Sequence, residues 1–276
     1  FRVSIMPSIF GEDAVLRILD RQALADHVEG LTLNQLGFDQ SAIATIRRLS
    51  AEPYGMLLVT GPTGSGKTTS LYAAISEVNQ GDDKIITIED PIEFLHKDVK
   101  SSVSQREVGV DTDSFADALR AALRQDPDVI LVGEIRDEIT MDIALKAAET
   151  GHLVFSTLHT PDVSRTVGRV LALAPKNQAG SSDEMRIRFA DCLQGVIAQR
   201  LIPKRDGHGV VLSAEVLVAT GTARMSIKRP ENNPSLKDIM EKGVHPYGMQ
   251  TFAMDVERLV NKGLIEEKVA ASMMGF

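Results

Sequence analysis

Apolar and polar positions recur along the chain with two periods. At the start, Phe1, Val3 and Ile5 alternate with Arg2 and Ser4, and Leu16 and Ile18 alternate with Arg17. That period of two predicts two strands around a turn from Pro7 to Asp13. Residues 22–34 are polar and contain Gly30, which predicts a linker and helix entry. "DQSAIATIRRLSAEP" predicts a helix capped near Asp39 or Ser41 and stopped by Pro53.

Strand and helix signals then alternate. Strands are predicted at Met56–Thr60, Lys84–Glu89, Val129–Val132 and Leu153–Thr157. Helices are predicted at Lys67–Val78, at "DSFADALRAALRQDPD" with a cap at Asp113 or Ser114, and at Thr140–Thr150. After Val196–Leu201 the pattern weakens, "GVVLSAEVLV" reads as one strand or two, and the end reads as two helices around Gly263. Short apolar strands separated by helices predict an α/β fold with a mostly parallel sheet covered on both faces.

Into this pattern falls "GPTGSGKTTS", between a predicted buried strand and a predicted helix. It fits G-x-x-x-x-G-K-[ST], the loop that cradles nucleotide phosphates. Gly61, Gly64 and Gly66 let the backbone turn and aim its N–H groups at phosphate oxygens, and the helix adds its positive dipole end. Lys67 suits β- and γ-phosphate charge, and the Thr68 hydroxyl suits Mg²⁺. The full candidate loop is Gly61, Pro62, Thr63, Gly64, Ser65, Gly66, Lys67, Thr68 and Thr69.

Hydrolysis also needs carboxylates at the carboxyl ends of neighbouring strands. "ITIEDPIE" puts Glu89, Asp90 and Glu93 past one strand, though Glu89 and Asp90 also suit a solvated turn before Pro91. "VILVGE" puts Glu134 past another, with Gly133 where an Asp is usual. Glu reaches further than Asp, so Glu134 can hold Mg²⁺ through a water. His152 and His159 bracket a strand beside the loop and are candidates to sense the γ-phosphate or position water.

Composition narrows the class. No apolar run approaches the roughly 18–20 residues of a membrane helix. The single Cys192 rules out an internal disulfide and a cysteine-built metal cage, and a reducing cytosol fits. A net charge of -8 argues against broad nucleic-acid binding, as does the lack of Trp for stacking. No LSGGQ-type stretch marks a transporter ATPase.

Together "GPTGSGKTT", "ITIEDPIEF", "LRQDPDVILVGEIRD" and "AAETGHLVFSTLHT" resemble the secretion ATPase superfamily, which includes type II secretion and type IV pilus assembly and retraction ATPases. The resemblance implies a RecA-like P-loop NTPase core at residues 51–220. Residues 1–28 would end a truncated, smaller α+β N-terminal domain, 29–50 would be linker and helix, and 221–276 a C-terminal helical region. It implies Glu93 as general base, Glu134 as the metal-proximal acid, His152 and His159 as a histidine box, and Arg2 and Arg17 as cations reaching γ-phosphate. It further implies ATP hydrolysis with Mg²⁺ in a homohexamer. That hexamer would drive an inner-membrane platform protein from the cytoplasmic face, with a missing N-terminal region docking a cytoplasmic partner. Assembly and secretion members usually carry two C-x-x-C pairs that hold zinc. Here only Cys192 is present, so no zinc is expected; the tail resembles that of retraction members, whereas "RVSIMPSIFGEDAVLRILD" resembles secretion and pilus assembly members, so the resemblance leaves secretion, assembly and retraction all open. No nucleic-acid partner is expected. A nucleic-acid translocating ATPase and a non-hydrolysing ATP-dependent regulator are the competing readings.

Overall fold

The computed structural model describes residues 2–17, 31–175 and 180–274. The first described element is an antiparallel hairpin of β1 (Arg2–Ser8) and β2 (Gly11–Arg17), running in register from Arg2↔Arg17 to Ser8↔Gly11. Only Ile9 and Phe10 remain for the turn, fewer than the expected Pro7–Asp13 span. A two-stranded ribbon has only edges, where a proline such as Pro7 is tolerated inside a strand. The proposed continuation through Ile18 and part of the linker lie outside the described residues.

After a 3-10 turn at Leu33–Gln35, helix α1 (Gln40–Ser50) starts where Asp39 accepts a hydrogen bond from Ser41 N (3.2 Å). A seven-stranded sheet follows. Its strands are β3 (Gly55–Thr60), β4 (Lys84–Glu89), β5 (Ser102–Glu107), β6 (Val129–Val132), β7 (Leu153–Leu158), β8 (Leu193–Pro203) and β9 (Val210–Val218). Their spatial order is β5-β4-β6-β7-β3-β8-β9, and every pair is parallel except β8 with β9. β3, β6 and β7 are buried along their whole length, as expected for parallel strands covered on both faces.

The covering helices are α2 (Lys67–Val78), α3 (Phe115–Ala122), α4 (Glu138–Glu149), α5 (Val163–Leu171) and α6 (Ser181–Cys192). Beyond β9 come α7 (Gly221–Lys228), α8 (Leu236–Lys242), α9 (Phe252–Asn261) and α10 (Glu267–Met274). Side chains set where many of them begin: Ser114, Asp137, Asp162, Thr220, Ser235 and Thr251 each accept a backbone N–H from the third residue onward. Each such cap contributes about 1 kcal/mol.

Because six strands run parallel, the chain leaves β3, β4, β6 and β7 at one common edge. Gly61, Asp90, Gly133 and His159 therefore open onto the same side of the sheet, the side where α/β sheets bind ligands.

Candidate nucleotide site

The loop after β3 takes its shape from its glycines. Gly61 has φ +147°, and a Cβ there would lie 2.4 Å from the carbonyl oxygen of Gln199 on β8. Gly66 has φ +86° and caps α2, so Lys67 begins the helix. A Cβ on Gly64 would meet nothing within 4 Å, so the loop is open there. Inside the loop, Ser65 Oγ is buried without a hydrogen-bond partner. An open cradle with an unmatched polar atom fits a bound phosphate chain.

Lys67 Nζ donates to Gly61 O (2.9 Å) and Pro62 O (2.9 Å), which holds the ammonium over the loop. Burial lowers its pKa, and the charge of Glu134 opposes that shift. The two groups therefore sense each other across the end of the sheet. Gln199, fully buried on β8, supports α2 through Nε2 to Ser70 Oγ (2.9 Å).

Glu134 stands just beyond β6, ion-paired to Arg136 and 3.5 Å from His159 Nε2. The loop carrying it hangs from β7: Ile135 N donates to Thr157 O (3.2 Å), and Thr157 Oγ1 donates to Gly133 O (2.6 Å). The phosphate loop hangs from the next residue, with Gly61 N donating to Leu158 O (3.4 Å). The choice of Gly133 has a steric cause, since a Cβ there would press within 3.2 Å of Ile88 O and 3.4 Å of Glu89 Cα. His159 is held below its ordinary pKa by burial first and then by the charge of Lys67, so it is neutral at pH 7. Lys67, Glu134, Arg136 and His159 thus form one cluster, and a cavity of about 360 Å³ lies beside Glu134, His159 and Arg169.

His152 is not part of that cluster. It precedes β7 at the opposite edge, where Gly55 N donates to its carbonyl (3.1 Å) and its Nδ1 lies 3.0 Å from Ala147 O. Seven strand steps of roughly 3.3 Å separate it from His159. Within this chain, then, His152 closes the turn between α4 and β7 and does not reach the phosphate loop.

Glu93 is half-buried on the loop past β4, three strands from β3 in the sheet order. Its charge acts on both Glu89 and Tyr72. The solvated-turn reading fails for Glu89, which is buried and bonded to Tyr72, Thr87 and Gln105. Arg2 and Arg17 are paired in the hairpin backbone, but their side chains lie outside the described residues. Sequence reasoning missed Arg136, Gln199 and Tyr72. Only Arg136 carried a signal, two residues beyond an acidic candidate.

Comparison with known proteins gives a consistent result. A family model described as "Type II/IV secretion system protein" matches residues 1–244. The type IV pilus retraction ATPase PilT of Pseudomonas aeruginosa is 42% identical over 98% of this chain and 74% of its own length. The type IV pilus assembly ATPase PilB of Myxococcus xanthus is 40% identical over 92% of this chain but 39% of its own length. A crystal structure of the pilus retraction motor PilT with bound ADP superposes with a TM-score of 0.80 at 41% identity, covering 97% of this chain and 72% of that one. A RecA-like sheet, a phosphate loop set against Glu134, and relatives spanning nearly every residue lead to one assignment: the chain belongs to the type II/IV secretion system protein family and is one of its ATPases.

Proposed function

We propose that this ATPase is the motor subunit of a type IV pilus retraction machine. The observation that carries the choice is the extent of the match. Similarity to the retraction relative covers 98% of the chain and 74% of that relative, so it includes the C-terminal helices. The assembly relative is matched over a smaller share of this chain, 92%.

In this reading the hairpin belongs to one unit, residues 1–28, and the ATPase core to another, residues 51–220. Six copies form a ring, and motion between the units drives an inner-membrane platform protein from the cytoplasmic side. No described helix is long and apolar enough to cross a membrane, which fits attachment through partners.

In this reading the cluster handles the phosphates and the metal, and residues outside it supply the base and the late cations. Loop N–H groups and Lys67 bind the phosphates. Thr68 and Glu134 supply oxygen donors suited to Mg²⁺, which would neutralise phosphate charge. Glu93 orients water and accepts its proton as the oxygen bonds to the γ-phosphorus and the β–γ bridge bond breaks. His159, uncharged, donates or accepts a hydrogen bond beside Glu134. Arg2 and Arg17 bring late positive charge to the departing phosphoryl group.

The test is steady-state turnover of full-length protein with Mg²⁺, with and without single-stranded DNA, beside complementation of retraction-deficient and assembly-deficient cells. Slow hydrolysis indifferent to DNA, with rescue of retraction alone, is expected. Strong DNA stimulation would indicate a nucleic-acid motor, and tight ATP binding without turnover a regulator. Rescue of assembly would reverse the direction of force.

A further inference from the structure

Glu89 ends β4, is 4% exposed and has three donors aimed at its carboxylate. Tyr72 Oη donates to Oε2, while Thr87 Oγ1 (2.6 Å) and Gln105 Nε2 (3.2 Å) donate to Oε1. A carboxylate offers only acceptors, so it can fix all three donors at once. Burial raises the pKa of Glu89, the donated bonds oppose the rise, and the charge of Glu93 adds to it.

Two of these donors also grip the loop that carries Glu93. Phe94 N donates to Tyr72 Oη (3.4 Å), and Phe94 O accepts from Gln105 Nε2 (2.9 Å). His96 N donates to Gln105 Oε1 (2.7 Å). The Tyr72 ring meets Phe94 edge-on at 4.8 Å and stacks on His96 at 4.6 Å. Both backbone groups of residue 94 are therefore tied to side chains that Glu89 organises, and residue 94 directly follows Glu93. Tyr72 sits on α2, whose first residues belong to the phosphate loop.

We propose that Glu89 is a positioning residue: through Tyr72 and Gln105 it sets where the Glu93 carboxylate stands relative to the bound phosphates. The proposal rests on Glu93 acting as the base. It assigns the first acid of "EDPIE" a task distinct from the last. A base displaced by about 1 Å loses roughly a hundredfold in rate, so a buried hub of this kind has leverage on turnover without touching ATP.

The experiment uses full-length protein carrying Tyr72→Phe or Glu89→Gln, each alone and combined with Glu93→Gln. ATP turnover, KM, binding of a fluorescent ATP analogue and thermal melting are measured. Both substitutions keep side-chain shape, so folding is retained. The expected result is a kcat lower by about 10–100-fold, with KM and analogue affinity within about twofold. In the Glu93→Gln background the same substitutions change residual turnover by less than about twofold, because there is no base left to misplace. Unchanged kcat in both single variants would overturn the proposal. So would an equal loss in both backgrounds together with a lower melting temperature, the mark of a purely structural network. Wild-type turnover by Glu93→Gln alone would remove the base assignment itself, a failure distinguishable from loss of the hub.

Discussion

Arg2 and Arg17 are cross-strand partners, the first and last positions of one hairpin paired in antiparallel register. Like charges at directly opposed positions are unfavourable in a two-stranded ladder unless an anion offsets them. If that anion is the γ-phosphate, Arg2→Ala and Arg17→Ala each lower kcat about a thousandfold. The double variant loses little more than the worse single one, because the two act as a unit. Mixing Arg17→Ala with Glu93→Gln subunits restores part of the turnover when the cation crosses a subunit boundary. Full turnover in both single variants would end this assignment.

Lys67 is the proposed phosphate contact whose loss is most direct. Replacing charge-assisted hydrogen bonds worth about 1.5–3 kcal/mol predicts that Lys67→Ala weakens ATP affinity about 10–100-fold. Isothermal titration with ATP reads this, and affinity within twofold of wild type would contradict it.

Gly61 and Gly64 separate two causes of glycine use. A methyl group at Gly61 meets the Gln199 carbonyl at 2.4 Å, on a strand that cannot retreat, and φ is +147°. Gly61→Ala is expected to cost about 2–5 kcal/mol, strain plus overlap, in urea unfolding. At Gly64 only the φ of +76° matters, so Gly64→Ala costs about 1–2 kcal/mol. Equal losses would show that the β8 contact is slack.

His96 gives the fold an acid-side weakness. Burial lowers its pKa from 6.5 to about 4. The unfolded chain binds the extra proton between those values, so stability is full above pH 6.5 and declines as pH falls toward 4. The whole difference corresponds to about 3 kcal/mol. His96→Phe keeps an aromatic ring for the stack on Tyr72 and removes the titration, so its urea midpoint falls less over this range than that of wild type. Parallel pH curves would refute the attribution.

The parts of the fold that repeat a strong local signal were legible in the sequence. The "GMLLVT" strand, the phosphate loop and α2 fall where apolar runs, glycines and helix formers place them. β5 was not legible. "SVSQRE" is a polar edge strand whose pairing with β4 depends on a neighbour distant in sequence. α5 carried a signal in Asp162, Val163, Val167 and Val170 that Gly168 and its short length obscured, while α6 is mostly polar and anchors through Met185 and Phe189. β8 reads as broken because Gln194, Gly195 and Gln199 interrupt it, and Gly195 is there for space: a Cβ would meet Leu49 Cδ1 at 2.7 Å. In the site, the loop, Glu134 and His159 could be placed together because they end neighbouring parallel strands. His152 enters β7 whereas the loop, Glu134 and His159 follow their strands, so sequence order already sets it at the other end of the sheet.

Successive residues of β7, Thr157 and Leu158, suspend the Glu134 loop and the phosphate loop from one strand. The gap between the two is then set by a single peptide step of one buried strand, so the two loops share one anchor. The nucleotide-reading edge behaves as an anvil. Whatever displacement this machine delivers must be generated by what is brought down onto that edge and lifted away again.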